Sequence, residues 1–169
     1  MKRQIVVSDD SRFPAIAGNL DRAVAGHAGI AVAGGHGQAM AANFGHATAG
    51  NHGQAMVGMR GEAQSGMGGC AHAGIEGYAG VGDFGLATSG VEGTSIAGRG
   101  GTALAGERGT ARVGDGGTAI ADRYGHASAG KGGTIIIRNA EGRWVVGVVG
   151  DAIRPHVLYR VDGDTFFEV

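Results

Sequence analysis

The chain has 169 residues, of which 37 are Gly and only 5% are aromatic, with a net charge of −1. So little bulk leaves no ordinary layered core, and a near-neutral balance excludes both a basic duplex-binding surface and an acidic imitation of DNA. No stretch reaches the roughly 20 apolar residues of a membrane span, so neither nucleic acid nor membrane is an expected partner.

Residues 1–12 stand apart from the rest of the chain. Lys2 and Arg3 precede Ile5-Val6-Val7, far too short for the apolar region of a signal peptide. Residues 4–8 are expected to form a strand that caps the first rung of the next region.

From Gly29 to Gly133 a Gly recurs every eighth residue, fourteen times without a miss. A fixed short period means a stacked repeat. The octad reads Gly-x-Ala-x-small-Gly-x-x. Its Ala column runs from Ala31 to Ala127 and departs only at Ser95 and Ile135, while its second Gly fails at Ala42 and Asp122. Two earlier stretches, 13–18 and 21–26, fit the same frame, so residues 13–140 hold sixteen octads. Period-two alternation, as in Thr102-Ala103-Leu104-Ala105, predicts one short strand per octad with the Ala and small columns on one face. The other face carries Arg22, Gln38, His46, Glu62 and Arg112, which cannot all be buried unpaired. Alanine is therefore inside. The Gly-x-x-Gly segments between strands are expected to supply the positive φ that a tight reversal needs.

Taking every second octad gives coherent columns. Gln38 falls over Gln54, Met40 over Met56, and Leu104, Ile120 and Ile136 stack; one corner runs Asp83, Arg99, Asp115, Lys131 in alternating sign. A triangular turn of three octads would break these columns. The expected fold is all-β: a flattened, two-sided β-solenoid with 16 residues per rung and eight rungs. Disorder does not demand a strict period, collagen needs Gly at every third position, and calcium-binding rolls need period nine.

Past Ala140 the period is lost and bulk appears. Residues 143–149, 157–161 and 165–169 are expected strands, with Asp162-Gly163 as a turn signal, making 141–169 a C-terminal β cap over a sticky open edge.

The stretch Gly101-Thr102-Ala103-Leu104-Ala105-Gly106 and its counterpart Gly117-Thr118-Ala119-Ile120-Ala121 resemble the Gly-Thr-Ala-x-Ala-Gly octapeptide-repeat proteins of bacteria and their phages. Residues 149–155, 159–163 and 167–169 look like the terminal module attached to such repeats. The resemblance implies a β-solenoid of bacterial or phage origin and brings no catalytic residues. The early repeats depart from its Thr column, carrying Gln38, His46, Gln54, Glu62 and Cys70.

Chemistry-bearing motifs are sparse. The stretch from Gly125 to Lys131 approaches a phosphate loop, but Gly132 replaces the required Ser or Thr and a strand replaces the helix. His36 and His52 fall at one corner a rung apart, with no Cys or carboxylate to complete a metal set. Cys70 has no disulfide partner, which suits a reducing cytoplasm, and no base beside it. Neither a cofactor, a metal nor an enzymatic activity is expected.

The two outer faces differ. One presents Val24, Met40, Met56, His72, Thr88, Leu104, Ile120 and Ile136 in a single column, with Leu86 beside it. Such a strip predicts a homodimer through Val24, Met40, Met56, Leu86, Leu104, Ile120 and Ile136. The irregular corner residues His36, Asn43, Phe44, Asn51, His52, Met59, Arg60, Phe84 and Tyr124 are the expected contacts for a protein partner, because nothing in the repeat calls for bulk there. The leading expectation is a non-enzymatic protein-binding rod, which phage carriage would direct at a host complex such as a defence system. Alternatives are a structural part of a virion or cell surface, or an ice- or glycan-binding sheet.

Overall fold

The computed structural model describes residues 4–10, 13–150 and 152–169. In chain order the strands are β1 (Ile5–Ser8), β2 (Ala15–Ala17), β3 (Arg22–Ala25), β4 (Ile30–Ala33), β5 (Gln38–Ala41), β6 (His46–Ala49) and β7 (Gln54–Val57). They continue with β8 (Glu62–Ser65), β9 (Cys70–Ala73), β10 (Tyr78–Val81), β11 (Leu86–Ser89), β12 (Thr94–Ala97), β13 (Thr102–Ala105) and β14 (Thr110–Val113). The last are β15 (Thr118–Ala121), β16 (His126–Ser128), β17 (Thr134–Arg138), β18 (Trp144–Val148), β19 (Tyr159–Asp162) and β20 (Thr165–Glu168).

Odd strands from β1 to β17 form one parallel sheet, closed by β18; even strands from β2 to β16 form the other, closed by β19 and β20. We call these sheets A and B. Partners are 16 residues apart, as in Leu104 against Ile120 and Tyr78 against Thr94. Two octads therefore make one rung, and the chain is a β-solenoid of about eight turns. The first step differs: Ile5 pairs with Arg22, a spacing of 17, so β1 enters with one additional residue. It covers the first rung of sheet A as expected, with Val6 turned toward the core and Ile5 and Val7 outward. The expected 1–12 cap is described only over residues 4–10.

The interior is a double row of alanines, from Ala15 to Ala129, closed at the last rung by Ile135 and Ile137, both fully buried. Where serine replaces alanine, its hydroxyl is satisfied. Ser95 Oγ donates to Ser89 Oγ at 2.8 Å, and Ser65 Oγ donates to the Gly53 carbonyl at 2.9 Å.

The Gly-x-x-Gly segments carry the positive φ as expected, and the structure shows at which position. The flanking glycines do not carry the positive φ; the residue before the second glycine does, whether it is Phe84 (59°), Arg108 (57°) or Tyr124 (60°). This is the third turn position, where type II turns require it. The left-handed backbone aims that amide along the rod: Phe84 N donates to the Arg99 carbonyl at 2.8 Å, and Arg108 N to that of Arg123 at 2.9 Å. The glycines answer a different demand. A Cβ on Gly109 would lie 2.8 Å from the Gly93 carbonyl oxygen and 2.9 Å from Ala105 Cβ. Thr110 N donates to that same carbonyl, so the close approach is the inter-rung hydrogen bond itself. At the flanking positions glycine is kept for proximity rather than for torsion, whereas Gly68, Gly100, Gly116 and Gly132 take the left-handed position itself.

The closing segment splits between the sheets. β18 runs antiparallel to β17, pairing Ile136 with Val146, while the β19–β20 hairpin attaches to β16 through Ala127 and Tyr159. The expected strands 143–149, 157–161 and 165–169 shorten to β18, β19 and β20, and the hairpin turns at Gly163 and Asp164, one residue later than Asp162-Gly163.

Candidate interaction surfaces

The outer face of sheet A is set by register. Val24 lies against Met40 and Met40 against Met56, then come His72, Thr88, Leu104, Ile120 and Ile136. Leu86 stands one column over, between Cys70 and Thr102. The seven expected interface residues thus share one face, six in a single column. Met56 and Leu86 are each 39% exposed, and the other five are half-buried by their neighbours in the sheet. The column runs further than the repeat did. Val7 extends it at one end and Val146 at the other, exposed by 58% and 59%. Val146 was hidden from periodicity because it belongs to an antiparallel strand outside the octads. Ten strands spaced about 4.8 Å apart make a strip roughly 43 Å long.

The polar breaks in the strip are themselves paired, since His72 Nδ1 and Thr88 Oγ1 are 2.7 Å apart. The outer face of sheet B has no such strip. Ile16, Val32, Thr48, Gln64, Gly80, Ile96, Arg112 and Ser128 succeed one another there, with His46 Nδ1 3.2 Å from Glu62 beside them.

The nine corner residues divide between two opposite edges. His36, Asn51, His52 and Phe84 lie on the turns leading from sheet B to sheet A; Asn43, Phe44, Met59, Arg60 and Tyr124 lie on the turns leading the other way. His36 and His52 stack with ring centroids 5.1 Å apart, and Phe84 is 70% exposed. On the second edge Phe44 tilts against His27 at 5.3 Å, and Tyr124 is 61% exposed.

The fold does require some of these side chains, contrary to the expectation. Asn51 Oδ1 accepts the Met67 amide at 3.0 Å and Asn43 Oδ1 the Met59 amide at 2.9 Å, each from the next rung. Asn19, Asp83 and Asp115 do the same for Gly35, Arg99 and Lys131. Asn19, Asn51, Asp83 and Asp115 recur at every fourth octad, a longer period that the octad register concealed. Each takes up an amide that the inter-rung ladder leaves unpaired. The arrangement makes these residues struts.

Charge pairs rung to rung as well. Arg60 binds Glu76 through Nε at 2.6 Å, and Arg99 binds Asp83 at 2.7 Å. The Arg60 hydrogen bond holds the Glu76 carboxyl below its ordinary range, and hydrogen bonds from the Arg99 side chain and amide do the same for Asp83. At the cap, Arg154 pairs with Glu168, whose carboxyl is lowered by Arg154 first and by the Tyr159 hydroxyl second.

Cys70 is exposed on sheet A without a disulfide. Among the described residues no helix is long and apolar enough to cross a membrane, and no three His, Cys, Asp or Glu side chains converge as metal ligands would. No protein-family model, curated protein or solved structure matches the chain.

Proposed function

We propose that the protein is a non-enzymatic binding rod that associates with a second copy through the outer face of sheet A and offers its edges to another protein. The observation that carries the first half is the continuous apolar column from Val7 to Val146, interrupted only by the His72–Thr88 pair. Soluble monomers rarely leave more than a few hundred Å² of contiguous apolar surface uncovered. A flat strip is self-complementary about a twofold axis, so two copies cover one another without any other chain. Light scattering after gel filtration tests it at tens of micromolar protein. The combined Met56→Lys and Ile120→Lys variant is expected to halve the mass of the wild-type assembly, and a wild-type monomer would remove the reading.

The second half rests on the edges. Phe84 and Tyr124 are bulky, exposed and held at a left-handed backbone position that disfavours side chains of their size. Exposed aromatics and arginine are common anchors of protein contacts. The likeness of residues 101–106 and 117–121 to phage-borne octapeptide repeats directs the proposal toward a host complex in the bacterial cytoplasm, a defence system included. Affinity capture from a bacterial lysate, compared with a Phe84→Gly variant, is expected to lose the captured complex in the variant.

A further inference from the structure

The outer face of sheet A has a symmetry that the repeat does not require. Ten strands make the sheet, so its midpoint falls between β9 and β11. In the central column, apolar residues run from Val7 to Met56, the His72–Thr88 pair straddles the midpoint, and apolar residues run on from Leu104 to Val146. The neighbouring column begins with Ile5, continues through the polar Arg22, Gln38 and Gln54, and meets Cys70 and Leu86 at the midpoint. Three threonines from Thr102 to Thr134 follow, and Val148 closes the column. A free cysteine counts here as a small apolar group. By chemical class, each column therefore reads the same from either end.

Every residue of the two columns is exposed or half-buried, so no described segment of the chain seals this face. Its ends are the most open, with Ile5 exposed by 64% and Val148 by 63%. Strands about 4.8 Å apart, four residues across at about 3.3 Å each, give a footprint of roughly 570 Å² per copy and about 1,100 Å² for two. A specific interface needs about 1,000 Å². A stable pair therefore uses the whole face, midpoint on midpoint. Sliding one rod by two strands would lose about a fifth of that area and set the His72–Thr88 pair against apolar side chains.

Resting on the face pairing put forward above, we propose that the two copies lie antiparallel, related by a twofold axis that runs along the strands midway between β9 and β11. Such an axis keeps strand direction and reverses strand order. Met56 then packs on Leu104 of the other copy, Met40 on Ile120 and Val24 on Ile136, while Cys70 meets Leu86. Polar residues also meet their own kind. Gln54 and Thr102 of the other copy, like the His72–Thr88 pair and its counterpart, exchange hydrogen bonds instead of being buried against apolar surface. A twofold axis along the rod does the opposite. It reverses the strands and keeps their order, so Gln54 falls on Met56 and Thr102 on Leu104, or the polar column slides off onto the glycines that follow the strands.

Two measurements test the arrangement. In protein carrying Cys70→Ser, a single Gln54→Cys, Gln38→Cys or Thr134→Cys change takes a spin label, and pulsed electron resonance gives the distance between copies. The antiparallel pair is expected to give about 17, 26 and 35 Å in that order, from strands about 4.8 Å and sheets about 10 Å apart. Equal short distances at all three positions belong to parallel rods and overturn the proposal. Charge tests it independently. In one chain carrying Met56→Lys with Leu104→Glu, each new lysine faces a new glutamate of the other copy, whereas Met56→Lys with Leu104→Lys sets like charges opposite. The first protein is expected to dimerise at least tenfold more tightly than the second, by light scattering across a dilution series. Equal affinities overturn the arrangement, because in parallel rods both variants set like charges together. A monomeric wild type removes the face and this arrangement together, while a wild-type dimer with parallel distances removes the arrangement alone.

Discussion

The repeat region and the closing segment solve the same problem in opposite ways. Through the solenoid the core is alanine, neighbours lie sixteen residues apart, and each rung is held by backbone bonds to the next. In the closing segment the core is bulky and the fastening is by side chains. Asn139 is 1% exposed; its Oδ1 accepts the Arg143 amide at 2.8 Å, and its Nδ2 donates to the Gly163 carbonyl at 2.9 Å. Tyr159, 2% exposed, accepts the Arg154 amide at 2.8 Å through its hydroxyl. A repeat passes its open end along from rung to rung and never closes it. Closing it takes residues that the repeat excludes, because alanine cannot fill the space where the partner rung is missing.

The contrast can be broken most severely at the junction. Ile135→Ala restores the repeat's own residue at the last rung, yet it is expected to destabilise the protein by about 2–5 kcal/mol, measured as a lowered urea midpoint. A neutral result would mean that the final rung is no different from the others. Within the repeat, Gly109→Ala is expected to cost about 1–3 kcal/mol, because its methyl meets a carbonyl that is already bonded to the next rung. Gly116→Ala sharpens the point. Nothing lies within 4 Å of the added atom, but φ is +66°, so the expected loss is only about 1 kcal/mol of backbone strain.

The smallest effect is acid sensitivity. Glu76, Asp83 and Glu168 are all held below their ordinary values, so their contribution is present above those values and is lost as pH falls through the lowered ones. The melting temperature is expected to be flat from about pH 8 to 5 and to fall below about pH 4. The Arg60→Gln and Arg154→Gln variants are each expected to shrink that fall. An unchanged acid profile in both would show that these exposed pairs do not contribute.

Much of the solenoid could be read from the residues alone. Columns such as Met40 over Met56 and Asp83 beside Arg99 gave the two-octad rung, and both pairs are neighbours in space. Seven apolar residues were assigned to one face, and they share it. The misreadings have physical causes. Glycine has two uses, torsion and close approach, and composition cannot separate them; here the flanking glycines serve close approach, and the torsion falls on the residue before the second of them, be it Phe84, Arg108 or Gly116. Asn43 and Asn51 looked superfluous because their partners are backbone amides, which have no letter in a sequence.

What the sequence determined by itself was everything that period dictates: strand, inward alanine, rung length and the outward columns. Side-chain alternation and register are local consequences of an eight-residue step. Only the tertiary structure decided how the coil ends. Whether β18 runs with or against its neighbour and which sheet the hairpin closes both depend on contacts between segments that share no period. An unrepeated segment carries no register, so its place is settled by packing against Ile135, Ile137 and Ala127 rather than by pattern.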